Sequence, residues 1–235
     1  MTTIDERKEP IDLRLGRNSF SDLAYAYILD AIASHEFQPG DRLRPQDLAI
    51  ATKLSPTPIK QALARLAGEG LVEFTPGSGP RVAAPSVPEI LELFDARAMC
   101  EVHAVQEGLH SADSAFVAQL DSLRSQYEAA AAEIERTREL RLQQLEADKN
   151  FHCHLVSLWP NGKVQAWYGQ LNIHLKAYRL GHVPEYVRAN VIEEHRAICE
   201  AVQTRDVAKT VETVRRHIAV AKESFTRQAR AAGLL

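Results

Sequence analysis

The sequence has little cysteine and lacks long hydrophobic runs. Its three cysteines, Cys100, Cys153 and Cys199, are widely spaced and form no CxxC pair. This excludes a disulfide framework and indicates reduced thiols in a cytoplasmic protein. No segment approaches the roughly 18 apolar residues that a membrane span requires. The charged N-terminus, MTTIDERKEPIDLRLG, excludes a secretory signal. We therefore expect a soluble, cytoplasmic protein with no membrane partner.

An excess of basic charge is also missing. The chain of 235 residues has 28 Lys and Arg against 31 Asp and Glu, a net charge of -3. No global positive field therefore indicates a nucleic-acid partner, and any such partner must bind a local patch. Apolar residues make up 45% of the chain, enough for a full-sized core.

Proline is scarce in the second half, and most of the eleven prolines precede residue 90. The second half is rich in Ala, Leu, Glu and Arg, which favours long helices. This shift predicts three regions: a loose tail over 1–16, a small domain over 17–85 and an all-helical domain over 86–231.

The small domain reads as three helices followed by a β-hairpin. The third helix begins at SPTPIKQ, where Ser55 can cap the helix and two prolines occupy its first turn. The hairpin turns at PGSG (76–79). Three helices and a hairpin form a winged helix-turn-helix. Residues 37–66 contain five basic and two acidic residues, so this segment has a local excess of positive charge, a basic patch.

The segments FQPGDRL, DLAIATKLSPTPIKQALARLAGEGLVEFTPGSGPRV and LFDARAMCEV carry a resemblance. They resemble the GntR family of bacterial transcription regulators, in the branch with an FCD domain, over about residues 18–228. The resemblance implies a winged helix-turn-helix followed by an antiparallel helical bundle, and binding to double-stranded DNA. We expect a homodimer on a pseudo-palindromic operator, because symmetric pairing doubles the contact surface of one small module.

A helix in the major groove offers the side chains near its N-terminus to base edges, and flanking cations contact phosphates. Thr57, Lys60 and Gln61 are therefore the candidates for base contacts. The other candidates are Arg44, Ser55 and Arg65 for phosphates or bases, and Gly79 and Arg81 in the wing. Pro56, Lys60 and Ser78 stand where the family usually has arginine, so we expect a different operator.

The second half predicts six helices, over about 88–109, 113–134, 137–158, 161–180, 185–203 and 206–231. Within LEADKNFHCHL, Asp148 and His152 project within about 40° of each other on a helix, whereas His154 lies about 120° from Asp148. His195 and His217 lie at similar distances on either side of the break TRD (204–206). An antiparallel hairpin would place these two histidines nearly level.

FCD domains have a similar pattern: an Asp, a His four residues later, and one His on each of the last two helices. The resemblance therefore implies that Asp148, His152, His195 and His217 bind a divalent metal. Zn²⁺, Ni²⁺, Mn²⁺ and Fe²⁺ all suit these ligands, with Zn²⁺ or Ni²⁺ favoured. Arg97 adds positive charge, which predicts a small carboxylate effector, with Glu101 orienting the arginine.

Three functions remain in competition at this point. The first is a DNA-binding regulator that responds to a small organic acid through its metal site. The second is a metal sensor whose effector is the ion itself. The third is a metalloenzyme, which we do not expect, because no separate nucleophile or acid–base set accompanies the four ligands.

Overall fold

The computed structural model describes residues 19–34, 36–132, 138–171 and 185–235. The predicted tail over 1–16 and the end of the helix predicted over 161–180 lie outside these residues. The chain divides into two compact units between Ala84 and Pro85. Among the described residues, no helix is both long and apolar enough to cross a membrane.

The first unit is a winged helix-turn-helix. It contains α1 (Phe20–Ala33), α2 (Pro45–Thr52), α3 (Pro56–Gly68), β1 (Val72–Thr75) and β2 (Gly79–Val82). Ser19 and Asp22 form a capping box at the start of α1, and proline occupies the first position of both α2 and α3. The strands pair antiparallel from Val72 with Val82 to Thr75 with Gly79.

The core of this unit lies mainly between α1 and α3. It is aliphatic, and its fully buried members include Ile28, Ile32, Ile59, Leu63 and Leu66. These residues recur at helical spacing, so the opposite face of α3 is left for polar side chains.

The second unit is a helical bundle. Its described helices are α4 (Val87–Gly108), α5 (Ser114–Ala132), α6 (Arg138–Val156), α7 (Gly162–Leu171), α8 (Glu185–Thr204) and α9 (Val207–Ala231). A short 3-10 turn, Leu109–Ser111, follows α4. Helix α9 packs on both α4 and α8, and α5 packs on α6 and α8.

The break between α8 and α9 is short and well defined. Arg205 has a positive φ of 55°, and the Asp206 side chain accepts a hydrogen bond from the backbone N–H of Lys209. This turn brings α8 and α9 side by side. The expected fold class, a winged helix-turn-helix followed by an all-α bundle, is confirmed.

Candidate metal centre and nucleic-acid interface

The third helix of the winged unit presents a polar face. Thr57, Lys60 and Gln61 are all exposed near the N-terminus of α3, as the sequence predicts. Ser55 occupies the N-cap position, but its side chain makes no capping hydrogen bond, contrary to the expectation that it caps the helix. All four residues are exposed at the N-terminal end of α3, and their contact with a major groove stays a prediction.

Two of the candidate arginines are paired within the first unit. Arg65 Nη1 lies 3.3 Å from Asp22 Oδ1, and its guanidinium carbon lies 3.7 Å from the centre of the Tyr25 ring. Arg44, at the N-cap of α2, has a longer ion pair of 3.8 Å with Asp47. The side chains of both arginines are more than half exposed. Arg65 is thus held against α1, whereas the ion pair of Arg44 is with a neighbour on its own helix.

Arg81 stabilises the wing, the hairpin formed by β1 and β2. Its Nη1 donates to the carbonyl of Gly40 at 2.8 Å, and its Nη2 donates to Ser78 Oγ at 2.9 Å. Gly79 has a φ of +78°, a conformation that a side chain would strain. Arg42 is a further cation here, because a methyl group on Gly79 would lie 3.9 Å from Arg42 Nη2. Arg42 is one of the five basic residues between residues 37 and 66, and the sequence alone does not link it to the wing.

The second unit buries three histidines that face one another. His152 comes from α6, His195 from α8 and His217 from α9, and their exposed fractions are 0%, 0% and 3%. One ring nitrogen of each can be chosen so that all three lie within 4.8 Å of one another. The Nε2 atoms of His152 and His195 are 3.2 Å apart. The packing of these three helices therefore brings together the histidines that the sequence predicts as metal ligands.

Asp148 lies beside the histidines. Its Oδ1 is 3.3 Å from His195 Nε2 and 3.7 Å from His152 Nε2. His154 faces elsewhere, as its angular position predicts. Its ring stacks on Phe116 with centroids 4.2 Å apart, and its Nε2 lies 3.0 Å from the Phe116 carbonyl oxygen.

Two carboxylates orient the histidine rings. Glu101 Oε2 is 3.0 Å from His152 Nδ1, and Glu194 Oε2 is 2.7 Å from His217 Nδ1. With Nδ1–H donating to a carboxylate, each ring presents the lone pair of Nε2 to the centre of the cluster. Glu194 was not identified from the sequence, since its partner lies on a different helix.

Arg97 on α4 completes the cluster. Its Nε donates to Glu101 Oε1 at 2.6 Å, which agrees with the predicted role of Glu101 in orienting the arginine. Its Nη2 lies 2.7 Å from His152 Nε2 and 3.0 Å from His217 Nε2. Tyr168 on α7, also missed by sequence reasoning, donates its hydroxyl to Glu101 Oε1 at 2.5 Å.

The surroundings fix the charge of these groups. Burial, reinforced by the charge of Arg97, lowers the pKa of His152 well below its ordinary value. Burial also acts to lower the pKa of Arg97, but the charges of Glu101 and Asp148 and the hydrogen bond to Glu101 outweigh it, and the net shift is upward. Burial raises the pKa of Glu194. Near neutral pH the cluster therefore contains neutral His152 and a charged guanidinium.

The donor set fits a divalent ion. Two ligand nitrogens about 2.1 Å from one ion are about 3.0 Å apart at a right angle and about 3.4 Å apart at a tetrahedral angle. The 3.2 Å between His152 Nε2 and His195 Nε2 falls between these values. Three imidazoles and a carboxylate are ligands that zinc, nickel, manganese and iron accept.

Two family models match the chain. The FCD domain matches residues 92–220, and the model described as bacterial regulatory proteins, gntR family, matches residues 20–82. The two matches fall in the bundle and in the winged unit, respectively.

Curated proteins with similar sequences are transcription regulators. The Nta operon transcriptional regulator of Aminobacter aminovorans is 33% identical over 129 residues, which cover 54% of this chain and 58% of that relative. The HTH-type transcriptional repressor GlaR of Escherichia coli (strain K12) is 27% identical over 206 residues, 83% of this chain and 90% of that relative.

Solved structures share the fold. E. coli McbR/YncC aligns with a TM-score of 0.72 at 16% identity, covering 90% of this chain and 99% of that chain. A structure from Rhodococcus sp. RHA1 described as a transcriptional regulator GntR aligns with a TM-score of 0.71 at 20% identity, covering 89% of this chain and 98% of that chain. At these identities the likeness concerns the fold.

Proposed function

Because the chain belongs to the gntR family of bacterial transcription regulators, in the branch with an FCD domain, we propose that its helical unit binds a divalent metal and a small organic acid. Its relatives are transcription regulators and not enzymes, so the metalloenzyme alternative is set aside. The metal and the acid, together, would control binding of the winged unit to DNA.

One observation carries the proposal: three buried imidazoles converge inside a helical bundle. Apolar side chains would fill such a position at lower cost than imidazoles, whose polar nitrogens must be desolvated and given hydrogen-bond partners. We assign His152, His195, His217 and Asp148 as the ligands, with Glu101 and Glu194 orienting two of the rings. Zinc or nickel is favoured, because imidazole nitrogen dominates the donor set.

The two cationic groups of the loaded cluster, the ion and Arg97, favour an anionic effector. Arg97 forms an ion pair with Glu101, and Asp148 and Glu194 would balance a divalent ion, so the positive charge is local to the ion and the guanidinium. When bound, the ion supplies that charge and open coordination positions. Arg97 is the residue that we propose to bind a carboxylate of the acid, because a guanidinium pairs with carboxylates through two N–H groups.

We further propose that the regulator acts as a homodimer on a pseudo-palindromic operator. A two-fold axis through the helical units would present two winged units to two half-sites. Thr57, Lys60 and Gln61 would contact bases, Arg44, Ser55 and Arg65 would contact phosphates or bases, and the wing would approach the DNA backbone. Light scattering of the full chain, with and without operator DNA, tests this; a monomer that binds the operator with full affinity would contradict it.

The metal assignment is tested by two neighbouring histidines. We expect His152→Ala to lose bound Zn²⁺ or Ni²⁺, measured by elemental analysis of the purified protein. His154→Ala should keep the metal, because its ring stacks on Phe116 and faces away from the cluster. His195→Ala and His217→Ala should behave like His152→Ala. Metal loss in His154→Ala with retention in His152→Ala would contradict the site.

The response to acid is tested with the same variants. DNA binding without acid should survive His152→Ala, because the ligands lie in the second unit, while any effect of added carboxylates on DNA binding should disappear. Titrating Zn²⁺ alone against the protein–DNA complex separates the two remaining functions. If the ion by itself changes operator affinity, the protein is a metal sensor.

A further inference from the structure

The guanidinium of Arg97 occupies the position that the proposed metal would need. Arg97 Nη2 lies 2.7 Å from His152 Nε2, 3.1 Å from His152 Nδ1 and 3.0 Å from His217 Nε2. Each of these rings directs its Nδ1 to a carboxylate, so Nε2 is the nitrogen that would ligate an ion. An ion bound to both Nε2 atoms would displace the N–H group that lies within hydrogen-bond distance of both, and the Nε2 lone pair of His217 cannot accept that N–H and bind a metal at the same time.

We propose that Arg97 is an internal competitor for the metal site, and that it must withdraw Nη2 from His152 and His217 before both histidines can bind an ion. This inference rests on the proposed function, since it assumes that these histidines are ligands. It adds an order of events that the ligand set alone does not imply.

The two ends of the guanidinium are held differently, which makes withdrawal feasible. Nε donates to Glu101 Oε1 at 2.6 Å, and Tyr168 donates to the same oxygen. Nη2 instead contacts the two histidines. The ion pair with Glu101 can therefore remain while Nη2 leaves the imidazoles.

Once Arg97 Nη2 has left the histidines, its N–H groups need another hydrogen-bond acceptor, and an organic acid can supply one. Arg97 is only 3% exposed, so an N–H removed from the histidines does not reach bulk water. A buried donor without an acceptor is costly, and a carboxylate is the acceptor that a guanidinium prefers. Arg97 thereby couples the two sites: metal loading releases its Nη2, and a carboxylate then accepts from it. Because such coupling is reciprocal, the acid should also tighten metal binding.

The test uses Zn²⁺ alone, titrated by calorimetry into the full chain after chelator treatment. Arg97→Met removes the competing N–H groups, and we expect it to bind Zn²⁺ at least about tenfold more tightly than the unsubstituted protein, about 1.4 kcal/mol. Arg196→Met is the matched control. Arg196 follows His195 directly, but its guanidinium contacts Glu193 and Glu128, so its loss should leave Zn²⁺ affinity unchanged.

Equal or weaker Zn²⁺ binding by Arg97→Met would overturn the inference, since it would mean that Arg97 supports the ligands rather than competing with Zn²⁺ for them. If neither protein binds Zn²⁺, the proposed function itself fails. If the two bind equally, only the competition fails.

A second measurement is independent of the folding of any variant. In a crystal structure of the Zn²⁺-loaded protein, we expect Arg97 Nη2 to lie beyond about 3.5 Å from both His152 Nε2 and His217 Nε2, outside hydrogen-bond distance. Retention of either contact at a Zn²⁺-bound nitrogen would refute the competition. This readout also separates displacement of the guanidinium from simple charge repulsion, which does not require it to move.

Discussion

Gly108, at the end of α4, lies against the backbone of Leu158, and replacing it with alanine should destabilise the helical unit. A Cβ built on Gly108 would lie 2.0 Å from the carbonyl oxygen of Leu158 and 2.9 Å from its Cβ. Ordinary contacts begin near 3.4 Å, so the segment after α6 would have to move by about 1.4 Å. Overpacking typically costs about 1–3 kcal/mol, and here backbone must move, so we expect about 3 kcal/mol or more.

Gly169→Ala provides the matched control. Gly169 lies inside α7, and no described residue packed against that helix comes within 4 Å of a built Cβ. Alanine there should stabilise the protein by about 0.5–1 kcal/mol, through helix propensity alone. Scanning calorimetry of both variants, with chelator present throughout, should give melting temperatures shifted in opposite directions. If Gly108→Ala melts at or above the temperature of the unsubstituted protein, the close approach of α4 to Leu158 is wrong.

The remaining predictions concern DNA and the thiols. Lys60→Ala should lose about 1–3 kcal/mol of affinity for an operator selected in vitro and little for random duplex, measured by fluorescence anisotropy; an equal loss on both would make Lys60 a phosphate contact only. Arg65→Ala should also weaken operator binding, but unlike Lys60→Ala it should lower the melting temperature of the winged unit, because Arg65 bonds to Asp22. Burial raises the pKa of the Cys199 thiol to about 12. Iodoacetamide should therefore leave Cys199 unmodified at pH 8, and alkylation should accelerate as the pH rises toward the pKa. Mass spectrometry measures the labelling, and rapid modification of Cys199 at pH 8 would contradict its burial.

The features that sequence could predict are those set by one element. Pro56, in the first turn of α3, and the PGSG turn of the wing mark element boundaries directly in the chain. Helical periodicity separates His152 from His154 because both lie on the same helix as Asp148. His152, four residues after Asp148, projects on the same side of the helix as Asp148, whereas His154, six residues after it, projects in another direction. The short break at 204–206 sets the relative heights of His195 and His217.

The features that sequence could not predict depend on the rotation of one helix against another. Periodicity identifies the buried face of α7, but it does not indicate that Tyr168 meets Glu101 of α4. Glu194 and His217 are likewise brought together by the packing of α8 on α9. In the winged unit, the contact of Arg65 with Tyr25 and Asp22 depends on how α3 crosses α1. No pattern within a single helix predicts how two helices cross or which of their side chains meet.

The position of Glu101 also constrains how this lineage can change. Glu101 is fully buried, and its carboxylate is shared by Arg97, His152 and Tyr168, which lie on three helices. Breaking a buried ion pair by replacing one partner typically costs about 3–5 kcal/mol, whereas replacing both with apolar residues of similar volume is often neutral. A single substitution at one of these positions therefore gives a less stable protein. We expect relatives that differ at one of these positions to differ at its partners as well.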